Sequence, residues 1–147
     1  MNIKKLIIAA ILLMLAVTQF FSKKENISSY ESVATFENAV NLPAAVKIIF
    51  KETCYDCHSN HTNYPWYNAI GAVSLLINHD IEEGKEHLNF SDWEKYPTDK
   101  QNHKLAEVYE EVEEDEMPLK IYRITHGGLS DEQKKTILDW AKKYDGM

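Results

Sequence analysis

Cys54-Tyr55-Asp56-Cys57-His58 constrains this chain more than any other segment. The chain's 2 cysteines sit in this one motif, and a histidine follows them at once. C-x-x-C-H is the attachment signature for c-type haem. Two thiols at that spacing can add to the two vinyl groups on one haem edge. The adjacent histidine then reaches the iron from the same side as a proximal ligand. Three other chemistries use similar residues. A thioredoxin-like dithiol needs a βαβ context, whereas the neighbourhood here reads as helical. A zinc site needs four ligands, and there is no second cysteine pair, although His61, His79, His87, His103 and His126 could supply nitrogen. A disulfide between Cys54 and Cys57 would close a very small, strained ring. The expectation is therefore one covalent haem c, held by Cys54 and Cys57, with His58 as an iron ligand.

A single haem needs a sixth ligand or an open position. Met1, Met14 and Met147 lie at the ends or in the apolar leader, which leaves Met117 as the methionine placed to ligate. It stands 59 residues beyond His58 and precedes Pro118, which stiffens the backbone of a ligand loop. A thioether is a soft, neutral ligand that favours ferrous iron and raises the reduction potential. Core filling is the alternative role for Met117. His79 and His126 are the rival ligands, and bis-histidine ligation would lower the potential. His61, His87 and His103 lie in polar surroundings and are expected at the surface. Tyr64, Trp66, Tyr67, Phe90 and Trp93 are expected to pack on the haem and close its pocket, with ordinary core packing as the alternative. Arg123, the only arginine, is expected either against a haem propionate or at the surface.

Leu6 to Phe21 is an almost wholly apolar run, preceded by Lys4 and Lys5 and followed by Ser22, Lys23 and Lys24. This is the pattern of an export signal. Sixteen residues are short for a spanning helix, which needs about 20. Ile3 and snorkelling lysines extend its reach. Gln19, Phe20 and Phe21 occupy the place of a small-x-small cleavage site, so the run is expected to stay as an uncleaved anchor. With cleavage, the product would instead be a soluble periplasmic protein. Either way, residues from Glu25 onward are expected on the periplasmic side of the inner membrane, where c-type haem is attached.

With the four flanking lysines set aside, the remaining chain carries 12 basic against 23 acidic groups. Such a surface repels phosphate backbones, so nucleic-acid binding is excluded. It attracts a partner with a basic docking face. Glu110, Glu111, Glu113, Glu114, Asp115 and Glu116 place six acids in seven positions. A solvated face is the ordinary role of such a run. These acids fall near a helix C-terminus, where negative charge is disfavoured, so partner docking is a second role.

Residues 25–42 read as a polar tether with a short helix around Val33 to Val40. Past Pro43, Val46, Ile49, Phe50 and Thr53 share one helical face that runs into Cys54. Asn60 to Asn68 reads as a loop. Val73, Leu76, Ile77 and Ile81 give a second face, stopping near Gly84. Ser91 is expected to cap a turn holding Trp93. Leu105, Val108, Tyr109 and Val112 mark a third helix. Ser130 with Gln133 forms a capping box for a last one bearing Ile137, Trp140, Ala141 and Tyr144. No stretch alternates with period two, so the fold class is all-α. The apolar faces are thin, so a non-protein group is expected to complete the core.

The order of helix, C-x-x-C-H, middle helices, Met-Pro loop and aromatic-bearing last helix resembles a class I cytochrome c. More closely, the chain resembles the small haem-binding domain family of exported bacterial proteins. The carrying residues are Cys54-Tyr55-Asp56-Cys57-His58-Ser59-Asn60, Tyr64-Pro65-Trp66-Tyr67, Asp80-Ile81-Glu82-Glu83-Gly84 and Leu88-Asn89-Phe90-Ser91-Asp92-Trp93. Glu116-Met117-Pro118, Leu129-Ser130 and Trp140 complete the likeness. It covers about Pro43 to Tyr144. The acids before Met117 depart from common cytochromes c, which carry glycine there. The resemblance implies a cytochrome c-like helical domain over residues 43–147 around one haem, behind an anchor (1–24) and a tether (25–42). The expected role is that of an electron carrier, not an enzyme. The rival is a haem enzyme or sensor with an open sixth position, peroxidase-like or gas-binding. A zinc-binding or dithiol module stands behind both.

Overall fold

The helices form where the apolar residues recur at helical spacing and the flanking residues stop them. The computed structural model describes residues 2–20 and 25–146. The trailing end of the apolar run (Phe21) and the Ser22, Lys23 and Lys24 that follow it lie outside the described residues. Eight α-helices follow one another among those residues. They are α1 (Ile3–Thr18), α2 (Ala34–Ala39), α3 (Ala44–Thr53), α4 (Tyr55–His58), α5 (Gly71–His87), α6 (Thr98–Glu113), α7 (Lys120–His126) and α8 (Asp131–Ala141). Short 3₁₀ turns join them at Tyr30–Val33, Trp66–Ala69, Phe90–Lys95 and Lys142–Tyr144. No strand occurs among the described residues; an isolated bridge pairs Ile27 with His61. The fold is all-α.

The core is built from the faces the periodicity marks. Val46, Ile49 and Phe50 of α3 are buried, as are Leu105 and Val112 of α6 and Ile137, Trp140 and Ala141 of α8. α8 begins at a capping box, with Ser130 Oγ accepting from Gln133 N–H at 3.2 Å and Gln133 Oε1 accepting from Ser130 N–H at 2.9 Å. Phe36, Phe50, Phe90 and Trp93 pack as an aromatic cluster. The Phe36 ring lies 4.4 Å from Phe90 and 4.9 Å from Trp93, centroid to centroid.

Several expectations change. Residues 25–42 are not a tether throughout, because Val33, Phe36 and Val40 all enter the core and Phe36 is fully buried. Glu37 fastens this segment further: it accepts from Lys47 Nζ at 2.5 Å and from Tyr55 Oη at 3.2 Å. Asn26 is fastened as well, its side-chain amide donating to Ser59 O at 2.8 Å, so the body begins near Asn26. α5 does not stop at Gly84 but runs on to His87. A Cβ at Gly84 would meet Cys57 O at 3.1 Å and Cys57 Cβ at 3.3 Å, so this glycine permits a close helix approach. The buried residues of α5 are Gly71, Ser74 and Ile81, while Leu75 and Leu76 face outward. Asn89, not Ser91, caps the turn that buries Trp93, accepting from Ser91 N–H at 3.0 Å. α7 occupies a stretch in which no helix is expected from the sequence.

α1 buries none of its residues, and its apolar side chains are exposed all round. At 16 residues it rises about 24 Å, against a hydrocarbon thickness of about 30 Å. Among the described residues no helix is long and apolar enough to cross a membrane.

Candidate functional site

α3 delivers the motif. Cys54 closes α3, and the single turn of α4 carries it on: Cys54 O accepts from Cys57 N–H at 3.2 Å and from His58 N–H at 3.0 Å. Cys54, Cys57 and His58 therefore stand at i, i+3 and i+4, on one side of the turn. Tyr55 and Asp56 point the other way and are buried. Tyr55 joins the core beside Phe50 and Phe90. Asp56 Oδ1 accepts from Asn63 N–H at 2.9 Å and Oδ2 from Tyr122 Oη at 3.1 Å. Tyr122 Oη also lies 3.0 Å from Glu52 O. One side chain of α7 thus clips both the end of α3 and the middle of the motif. Burial, together with the Asp56 carboxylate, pushes the Tyr122 hydroxyl well above its ordinary range.

His58 is oriented by the backbone. Its Nδ1 lies 2.9 Å from Leu88 O. A carbonyl only accepts, so Nδ1 carries the proton and Nε2 keeps its lone pair. A carbonyl partner on the second ring nitrogen is the usual support for a metal-ligating histidine. Burial holds the His58 pKa below its ordinary value, which favours the neutral, ligating imidazole. The same burial raises the thiols, Cys54 to about 11 and Cys57 to about 12. Both cysteines are free and stay protonated at neutral pH. That is opposite to the depressed pKa of a redox dithiol.

Cys54, Cys57 and His58 line a cavity of about 580 Å³, inside the range of about 300–1,000 Å³ found for cofactor sites. Phe50, Leu88, Phe90, Val108, Val112 and Leu129 supply most of its apolar wall. Met117 lines the same cavity, with Pro118 and Leu119 beside it. The turn that delivers Met117 is an α-helix ending. Asp115 takes φ 60°, and Glu116 N–H and Met117 N–H both reach back to Glu111 O at 3.0 Å. Lys134 of α8 secures the turn, its Nζ lying 3.0 Å from Glu113 O and 2.7 Å from Asp115 Oδ1. A cation is thereby set against the C-terminal end of α6. It also draws Asp115 below the usual carboxylate range through its hydrogen bond and charge. The acid run thus has local support that its sequence does not disclose.

Neither His79 nor His126 lines the cavity. His126 Nε2 contacts Tyr67 Oη at 3.2 Å, and its ring stacks on Tyr122 at 4.3 Å. His87 and His103 stand at the rim with Asp80, Glu83, Glu107, Glu110 and Glu111. Of the five aromatics expected around the site, only Phe90 lines it. Trp93 belongs to the core, Tyr64 Oη accepts from Asn26 N–H, Tyr67 meets His126 and Trp66 is 84% exposed. Arg123 does not line the cavity; its side chain lies along Gly128. Sequence reasoning missed three supports: the Leu88 carbonyl, Gly84 and the Tyr122–Asp56 contact.

These residues fit a haem: two thiols and a backbone-oriented imidazole meet a thioether in one apolar cavity. Among the described residues no group of three or more histidine, cysteine and carboxylate side chains is placed to hold a bare metal ion. The family model for the Haem-binding domain matches residues 13–143. No curated protein and no solved structure matches the chain.

Proposed function

We propose, from the premise that this chain belongs to the haem-binding domain family, that the haem it binds is a single, covalently attached haem c used to carry electrons one at a time outside the cytoplasm. The observation that carries this reading is the convergence of Cys54, Cys57, His58 and Met117 on one cavity. Cys54 and Cys57 offer the thiols for two thioether bonds. His58 offers Nε2 to the iron, with Leu88 O fixing its ring. Met117 offers the thioether for the sixth position, which makes the protein a carrier and not an enzyme. When bound, the haem supplies an iron that alternates between ferrous and ferric states. The apolar wall keeps water from that iron. The acidic rim, with Glu110 and Glu111 at its edge, faces a redox partner with a basic surface.

α1 serves as the membrane anchor in this reading. Its exposed apolar surface and the lysines before it support that role, and its shortness is met by snorkelling and local thinning of the bilayer. The full chain, produced with the c-type maturation machinery, tests the whole proposal. Haem should survive acid–acetone extraction and denaturing electrophoresis, and the reduced protein should titrate as a one-electron couple. Haem that extracts freely from exported protein overturns the thioether assignment. N-terminal sequencing of the mature protein tests the anchor: a start near Ser22 would mean a cleaved leader.

A further inference from the structure

An apolar surface away from the cavity stays uncovered, and it gathers where α1 meets the body of the protein. The end of α1 lies directly on the start of α5: a Cβ at Gly71 would meet Thr18 O at 2.4 Å and Gln19 N at 2.9 Å. The residues around that contact are apolar and open. Trp66 is 84% exposed, Leu76 65%, and Ile70 and Leu75 are exposed as well. Leu75 and Leu76 follow Gly71 by four and five residues, about 6–8 Å along the helix.

Water is a poor neighbour for such a patch, and a patch of this kind marks an interaction surface. The occupant follows from α1. Whatever surrounds the end of an apolar helix also reaches side chains within about two helical turns of it. The body carries a large excess of negative charge, so electrostatics alone would push it away from an anionic bilayer. An apolar contact is what could hold it close. Trp is a residue type well suited to the headgroup level.

We propose that Trp66, Ile70, Leu75 and Leu76 form a face that rests in the headgroup region of the bilayer entered by α1. The domain then lies on the membrane in a fixed attitude. This rests on the anchor reading of α1 and goes beyond it.

The test uses the full haem-loaded chain reconstituted in phosphatidylcholine–phosphatidylglycerol vesicles. Trp93 and Trp140 are buried, so the emission difference between the wild type and Trp66→Phe reports Trp66. The expected result is co-flotation with vesicles, loss of most of the Trp66 signal to brominated phospholipid, and little loss to aqueous iodide. Leu75→Ser with Leu76→Ser should raise iodide access to Trp66 while flotation persists. Co-flotation with Trp66 open to iodide and insensitive to brominated lipid overturns the resting face and leaves the anchor standing. Failure to float overturns the anchor, and the resting face with it.

Discussion

Met117 enters the cavity because Asp115 turns the chain back on the end of α6. Removing its side chain should not disturb Cys54, Cys57 or His58, which come from other elements. Met117→Ala should therefore keep its covalent haem on denaturing gels. Its reduction potential should fall, because the soft ligand that favours ferrous iron is gone. Its spectrum should turn high-spin, and added imidazole should bind more readily. An unchanged low-spin spectrum and potential would remove Met117 from the iron. Tyr122 makes a different prediction. Its hydroxyl serves a buried carboxylate, and a hydrogen bond to a charged group contributes about 1.5–3 kcal/mol. Tyr122→Phe should lose about 2 kcal/mol in denaturant titration, because Asp56 Oδ2 is left without that donor. Haem content should be unchanged, since Tyr122 supplies no ligand.

The helices differ in how openly their sequences announce them. α3, α6 and α8 are legible because their apolar residues repeat at helical spacing and face the core. The Ser130–Gln133 box marks the start of α8 from sequence alone. Ser130→Ala removes one half of that box and should cost about 1 kcal/mol, read as a lower Tm with haem content unchanged. α7 is hidden because its pattern is inverted: Ile121 and Ile124 are exposed, while polar-tipped Tyr122 reaches in to Asp56. α5 is legible as a helix, but its inner face is not, since Gly71 and Ser74 pack there while Leu75 and Leu76 do not. α2 has six residues, too few to display a period, and its one large anchor is Phe36. Phe36→Ala should cost about 3–5 kcal/mol and loosen residues 30–42, which hydrogen exchange would detect. An exposed tether would show no such loss. Within the site, the spacing of Cys54, Cys57 and His58 is visible in the letters, and Met117 emerges by elimination. The Leu88 carbonyl has no letter of its own. The Tyr122–Asp56 contact spans 66 residues, which local patterns cannot reach.

At the scale of the whole molecule, a cavity of about 580 Å³ lies between α3–α5 on one side and α6 with the Met117 segment on the other. Its wall is largely apolar, so a group that fills it takes that surface out of water. A group held by the folded form and not by the unfolded one stabilises the fold. Cys54→Ala with Cys57→Ala should therefore abolish covalent haem and lower Tm. The variant should also lose near-ultraviolet circular dichroism. A double variant with wild-type Tm would show that the core closes without haem. Lys134 adds a consequence in order of arrival. It follows His58 by 76 residues, so a chain that emerges N-terminus first presents the motif well before the lysine that secures the Met117 turn. On the exported reading proposed above, both thiols would reach the far side of the membrane ahead of the clasp that holds the opposite wall of their cavity.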